Sequence, residues 1–333
     1  MAEEVLRYEQ VGLGFGAQAV LRGVSFTLHR GETIVLLGAT ATGKTLLLKL
    51  ALGLLKPDQG RITVLGTDIT DLEEDDLFPL REKLGIVFQE MALFDSLSVY
   101  ENVAYRLIEE TVHGKTGLAD EEMERRVREG LRFVELEEAI WKLPAELSGG
   151  MRRRVALARA LITEPPVMLY DSPTAGLDPI TAQTILTLII KLRDTRQSSA
   201  LYVTQRLQDG FVLAGNVFDE ASGGLKPASA DGTRGTSTRF LLLRDGQVYF
   251  DGLPRDIALS SDPYVRRFLT RNHSLPGSRQ SFRGLAACFF VFSSGTDLPK
   301  IPRQPGEGFS RLSPRQKNPP DRRASEAVII SQS

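Results

Sequence analysis

The sequence predicts an α/β chain, and three apolar strand runs with the helices that follow them carry that prediction. "ETIVLLG" (32–38) is a continuous apolar run, the pattern of a strand buried on both faces. It feeds "GKTLLLKLALGLL" (43–55), which reads as a helix stopped by Lys56-Pro57. "PVMLY" (166–170) is a second apolar run and ends on Asp171; a long helix follows from Asp178 to about Thr195. Asp178 can cap that helix, and Pro179 sits at its favoured first position. "SSALYVTQ" (198–205) supplies a further strand.

The other elements follow in order. "VLRYEQVGLGF" (5–15) and "GVSFTLHRGE" (23–32) alternate like short strands, and "GRITVLGTDI" (60–69) reads as another strand. Residues 92–165 are mostly helical, with charged amphipathic stretches such as "DEEMERRVREGLRFVELEEAIWKL" (120–143). Residues 220–237, "EASGGLKPASADGTRGTS", read as a flexible loop. "RFLLLRDGQVYFDG" (239–252) reads as a hairpin turning at Asp245-Gly246, with a short helix near "DPYVRRFLT" (262–270) after it. The folded domain is expected over 4–273, and 274–333 as a disordered tail. That tail holds seven of the chain's 17 prolines, with nine Lys or Arg against four Asp or Glu. A solvated tail without a specific role is its simplest account.

Composition narrows the function classes. The 333 residues are 42% apolar and 25% charged, ordinary for a globular protein, and the net charge of −1 gives no general basic surface for nucleic acid. Cys288 is the single cysteine, so no intrachain disulfide forms, and a reducing compartment is the simple reading. The start "MAEEVLRYEQ" does not read as a secretory signal, and no stretch has about 18 uncharged apolar residues to span a bilayer. Any work at a membrane would then be done by docking to other subunits. The acidic "LEEDDL" (72–77) could meet a partner, but a solvated face is the plainer account.

One motif carries chemistry by its context. "GATATGKT" fits G-x-x-x-x-G-K-[ST] and lies between a predicted strand and a predicted helix. Gly38, Ala39, Thr40, Ala41, Thr42 and Gly43 would wrap backbone N–H groups around phosphates at the helix N-terminus, with Leu46 following in its first turn. Lys44 would reach the β- and γ-phosphates, and Thr45 would offer its hydroxyl to Mg²⁺. Ala41 stands where related loops often carry glycine, which narrows the backbone choices there.

Four more stretches appear in fixed order: "VFQE" (87–90), "LSGGMRRRVALARAL" (147–161), "VMLYD" (167–171) and "AGLDP" (175–179). With the phosphate loop, this set resembles the ATP-binding cassette subunits of ABC transporters over about 4–270. The resemblance implies a P-loop NTPase fold: a twisted, mainly parallel core sheet, an antiparallel β part and a helical subdomain (about 92–165) carrying LSGG. It implies that Phe15 stacks on adenine, although a core phenylalanine is the alternative. It also implies that Gln89 touches Mg²⁺ and water, and that Ser148, Gly149 and Gly150 cap the γ-phosphate of a partner protomer's ATP. Asp171 would hold Mg²⁺, and Asp178 would couple the two sites of a head-to-tail homodimer. "MALFDSLSVYENVAYRL", "GLDPITAQTI" and "DGLPRDIALSSDPYVRRFL" are similar to the Mla/Mce group, whose ATPases power lipid transport across the bacterial envelope. Amino-acid importer ATPases are near neighbours. The implied partners are a membrane permease and an Mce-like substrate-binding protein, and the implied place is cytoplasmic, on the inner face of the cell membrane.

Two positions depart from that pattern. Ser172 stands where the family has its catalytic glutamate, and Gln205 stands where it has a switch histidine. Serine is no comparable base, and glutamine donates a hydrogen bond without a full positive charge. Three readings stay open: a working but slower ATPase with water held by Gln89, Gln205 or a nearby residue, an ATP-binding clamp that barely hydrolyses, and a decayed copy. Other superfamily members fit less well. Chromosome-maintenance ATPases insert a long coiled coil between the two motifs, and translation-factor ATPases carry two cassettes. An adenylate-kinase-like transferase would lack LSGG.

Overall fold

In the computed structural model, residues 2–112, 117–228 and 237–271 are described. Two sheets form around β1 (Glu4–Phe15), β2 (Gln18–His29) and β3 (Thr33–Gly38). β1 and β2 make a long antiparallel hairpin, closed where Phe15 pairs with Gln18, and β4 (Gln59–Val64) and β5 (Thr67–Asp68) extend it in the order β2-β1-β4-β5. The second sheet contains β6 (Leu84–Val87), β7 (Val167–Asp171), β8 (Ser199–Thr204), β11 (Thr238–Arg244) and β12 (Gln247–Gly252). Its order is β12-β11-β3-β8-β7-β6, parallel except for β12, which turns back on β11. β3, β7 and β8 are buried at every position, which is why their sequences run apolar without alternation.

Alternate residues of β3 serve two cores. Ile34 and Leu36 face the antiparallel sheet and α1 (Lys44–Ala51); Val35 and Leu37 face the helices on the other side. α2 (Glu74–Arg81) precedes β6. The helical part comprises α3 (Val99–Val112), α4 (Asp120–Phe133) and α5 (Gly149–Leu161), with 3₁₀ turns at Glu137–Ala139 and Pro144–Glu146 between α4 and α5. α6 (Pro179–Arg196) starts on the Asp178 cap, whose carboxylate accepts from the N–H groups of Ile180 and Thr181, both at 3.0 Å. α7 (Leu207–Gly215) follows β8, and α8 (Pro254–Leu259) and α9 (Pro263–Arg271) end the described chain.

The predicted α/β class, the antiparallel part and the helical region are all present. Three local expectations change. The strand expected over 60–69 is a hairpin of β4 and β5, because Leu65 and Gly66 both take left-handed backbone (φ 47° and 80°). A leucine in that region gives no turn signal in a sequence. Part of the expected loop 220–237 is ordered: β9 (Asn216–Asp219) pairs with β10 (Gly224–Pro227), while 229–236 lie outside the described residues. Acidic 73–76, within the stretch read as a solvated face or a partner contact, are exposed and open α2. The tail expected from 274, with Cys288, lies outside the described residues. Among the described residues, no helix is long and apolar enough to cross a membrane.

Candidate nucleotide site

The site is built at the carboxyl ends of β3, β7, β6 and β8, where loops leave the sheet. This is where open parallel sheets commonly bind ligands. Gly38 ends β3, and a side chain there would collide with Thr42 Oγ1 at 2.8 Å and the Leu243 carbonyl at 3.0 Å. Residues 39–43 turn back into α1, with Gly43 at φ 93°. Ala41 takes φ 62°, the left-handed region that a glycine would enter freely. α1 has no side-chain cap at its N-terminus. Its first N–H groups therefore need a partner from elsewhere, and an anion supplies one. Leu46 is half-buried in that first turn.

Lys44 is buried, and its ammonium donates to the carbonyls of Gly38 (3.0 Å) and Ala39 (2.6 Å) and to Thr42 Oγ1 (3.4 Å). Burial lowers its pKa to about 8, while the charge of Asp171 pulls it back up. Asp171 closes β7 and is also buried. Desolvation raises its carboxyl above the usual range; a hydrogen bond from the Thr45 hydroxyl, a second from Ser172 and the charge of Lys44 oppose that rise. One lysine, one carboxylate and one threonine hydroxyl thus converge.

Those oxygens fit magnesium. The ion takes oxygen ligands and is commonly held by one or two carboxylates together with substrate phosphates. Among the described residues no group of three or more His, Cys, Asp or Glu could hold a metal alone. A cation between Thr45 and Asp171 would complete its shell with water and nucleotide oxygens.

Ser172 is buried beside Asp171, its Oγ 3.4 Å from that carboxylate. It takes φ 47°, and its N–H donates to Val203 of β8 at 2.8 Å. Gln205 follows β8, and its side-chain carbonyl accepts from Thr40 Oγ1 at 3.1 Å, tying the departing position to the phosphate loop. Gln89 is exposed in the turn after β6. β6 is paired with β7 with Val87 opposite Tyr170, so Gln89 and Asp171 leave neighbouring strand ends. Arg159 of α5 anchors that turn by donating to the carbonyls of Ala92 (2.7 Å) and Met91 (2.9 Å).

Phe15 is 54% exposed at the hairpin end, which removes the core alternative. The hairpin abuts the phosphate loop, since a side chain at Gly43 would strike Leu21. Ser148, Gly149 and Gly150 are not gathered into the hydrogen bonds of the loop 38–45. They start α5, where Ser148 Oγ accepts from Met151 N (3.2 Å) and a side chain at Gly150 would meet Thr181 of α6 at 2.5 Å. Asp178 likewise stands at the head of α6.

Sequence reasoning missed the residues that hold the turn between Ser172 and Asp178. Arg153 donates to the carbonyls of Ser172 (3.2 Å), Pro173 (2.7 Å) and Ala175 (3.2 Å), and Arg206 donates to Thr174 (3.1 Å). Arg153 lies inside the quoted "LSGGMRRRV", but an arginine in a basic stretch gives no sign that its target is a loop about 20 residues away.

Comparisons with known proteins place the chain in a family. The ABC transporter family matches residues 21–175. The chain is 34% identical over 277 residues to "Protein TRIGALACTOSYLDIACYLGLYCEROL 3, chloroplastic" of Arabidopsis thaliana, covering 81% of this chain and 74% of that protein. It is 35% identical over 256 residues to the "Probable ribonucleotide transport ATP-binding protein mkl" of Mycobacterium tuberculosis, covering 77% of this chain and 63% of that protein. Among solved structures, a dimeric ATP-binding cassette in a post-hydrolysis state bound to ADP and Pi is 28% identical, with a TM-score of 0.63, covering 75% of this chain and 98% of that one. The chain therefore belongs to the ABC transporter family, and its described part is an ATP-binding cassette, the ATPase subunit of that family.

Proposed function

We propose that this chain is a slow ATP-hydrolysing motor that moves lipids or other hydrophobic compounds across a bacterial envelope, working with a membrane permease and an Mce-like substrate-binding protein. The observation that carries the ATPase part is the assembled set of Lys44, Thr45 and Asp171 around an uncapped helix N-terminus. The plant relative, whose name is that of a galactolipid, supports the lipid part. A methionine import protein from Rhizobium johnstonii is 38% identical over 207 residues, so an amino-acid cargo is the competing substrate class.

In this reading the phosphates sit on the N–H groups of 39–46, and Lys44 exchanges its two backbone carbonyls for phosphate oxygens. Thr45, Asp171 and Gln89 would hold Mg²⁺, which would supply positive charge against the phosphates. Half-exposed Phe15 stacks on the base. Ser148, Gly149 and Gly150 approach the γ-phosphate of a second protomer, where the two glycines leave room for backbone contact. Asp178 links the sites across that dimer. Gln89 and Gln205 orient the attacking water. Ser172 contributes no base at neutral pH, which costs on the order of 10²–10⁴ in rate. Positioning and metal electrostatics supply most of the acceleration in phosphoryl transfer, so turnover survives that loss. Ser172 specifically favours one second reading, a nucleotide-gated clamp that binds ATP, dimerises and scarcely hydrolyses.

ATP turnover of the wild type, Lys44→Ala and Ser172→Glu, each reconstituted with the permease, tests the proposal. Wild-type turnover should be measurable, Lys44→Ala should lose it, and Ser172→Glu should raise it by about 10²-fold or more. Near-zero wild-type turnover with tight ATP-held dimers would establish the clamp instead. Unchanged ATP affinity and turnover in Lys44→Ala would overturn the phosphate site.

A further inference from the structure

We propose that Asp209 and Arg206 act together as positioning residues for ATP turnover, by clamping Thr174 and thereby fixing the turn between Ser172 and Asp178. The inference rests on reading the site as an ATPase. It concerns residues outside the phosphate loop, the LSGG stretch and the Asp171 strand.

Four consecutive carbonyls of this turn, from Ser172 to Ala175, each accept from an arginine. Arg153 holds three of them from α5, the helix headed by Ser148. Arg206 holds the fourth, Thr174, and stands next to Gln205. The Thr174 hydroxyl, fully buried, donates a hydrogen bond to the Asp209 carboxylate, which is 1% exposed. Tyr202 (3.3 Å) and Thr204 (3.5 Å) of β8 donate to the same oxygen, and Arg206 Nε lies 3.5 Å from the other. A buried carboxylate is stable only where donors surround it, and here the donors come from β8, α7's leading turn and the 172–178 turn.

The consequence is geometric. Ser172 and Asp178 bracket the turn, and Gln205 and Arg206 are neighbours on the segment leaving β8. Thr174 is the point where that segment grips the turn through both a hydroxyl and a carbonyl. Without the grip, the carbonyls of Ser172, Pro173 and Ala175 remain on Arg153, while the distance between the turn and Gln205 becomes variable. An ångström-scale misplacement of a group that orients water is enough to cost about 10²-fold in rate. ATP binding, which uses 38–46, should be untouched.

The test uses the full chain with its permease. Thr174→Val keeps the shape and removes the hydroxyl; Thr174→Ser keeps the hydroxyl; Arg206→Gln removes the grip on the carbonyl. ATP affinity is measured by calorimetry, and turnover and the ATP-held dimer are read in parallel, so the outcome is decided at any rate of hydrolysis. Thr174→Val and Arg206→Gln should bind ATP within about twofold of wild type. They should lose about tenfold or more in kcat, or in the fraction of ATP-held dimer where hydrolysis is negligible. Thr174→Ser should recover most of the loss. Equal behaviour of the Val and Ser variants would overturn the clamp, as would a loss of ATP affinity matching the loss of turnover. Absence of ATP binding by the wild type would instead overturn the ATPase reading itself.

Discussion

Two single residues show how local backbone departs from what side-chain identity suggests. Ala41 and Ser172 both occupy left-handed conformations, at φ 62° and 47°. That region costs an L-residue about 1–2 kcal/mol, and glycine gives back about 0.5–1 kcal/mol through its freer unfolded chain. The balance at Ala41 favours glycine. Ala41→Gly should therefore stabilise the protein by about 1 kcal/mol, read as a higher urea midpoint at unchanged slope; a midpoint that falls would show that the alanine is not strained. The identity of residue 172 was legible as a missing base. Its buried place beside Asp171, with its N–H on β8 and its carbonyl on Arg153, was not, because those partners are 31 residues ahead of it and 19 behind it in the chain.

At the scale of elements, packing overrules propensity. Gly210 lies inside α7, and helix propensity alone makes alanine better there by about 1 kcal/mol. A side chain at that position would drive into the ring of Phe240 on β11 and would reach Val35 of β3 at 3.0 Å. Overpacking of this kind costs about 1–3 kcal/mol, so the second effect wins. Gly210→Ala should lower thermal stability, and a rise would mean that α7 stands off the sheet. The same competition explains the unpredicted hairpin at 59–68: Leu65 and Val64 look like one strand continuing, yet β4 must return as β5 and the leucine accepts the turn. Periodicity identified β3, β7, β8 and α6 because each carries its full signal locally. β9 and β10 were missed because "NVFD" and "GLKP" carry almost none. Their order comes from pairing with each other and from Phe218 and Leu225 packing on the larger core.

For the whole molecule, the described residues offer the nucleotide site and no helix long and apolar enough to cross a bilayer, and the expectation that the chain docks to a permease is open to test. Expressed without its permease, the chain should stay in the supernatant after ultracentrifugation and should float with membranes only when the permease is co-expressed; flotation of the chain alone would show that it binds lipid itself. The sequence by itself determined the α/β class, the phosphate-loop motif and the order of motifs, and its resemblance to the family marked Ser172 and Gln205 as departures. Each of these is written in contiguous residues, where a buried strand, a glycine turn and a helix start leave their own marks. Only the tertiary structure decided that Gln205 is held by Thr40, that Phe15 is outside the core, and that Arg153, Arg206 and Asp209 hold the turn after Asp171. Those facts depend on which strand ends lie side by side in the sheet order β3-β8-β7-β6, and hydrogen bonds across such ends join residues that no local pattern connects.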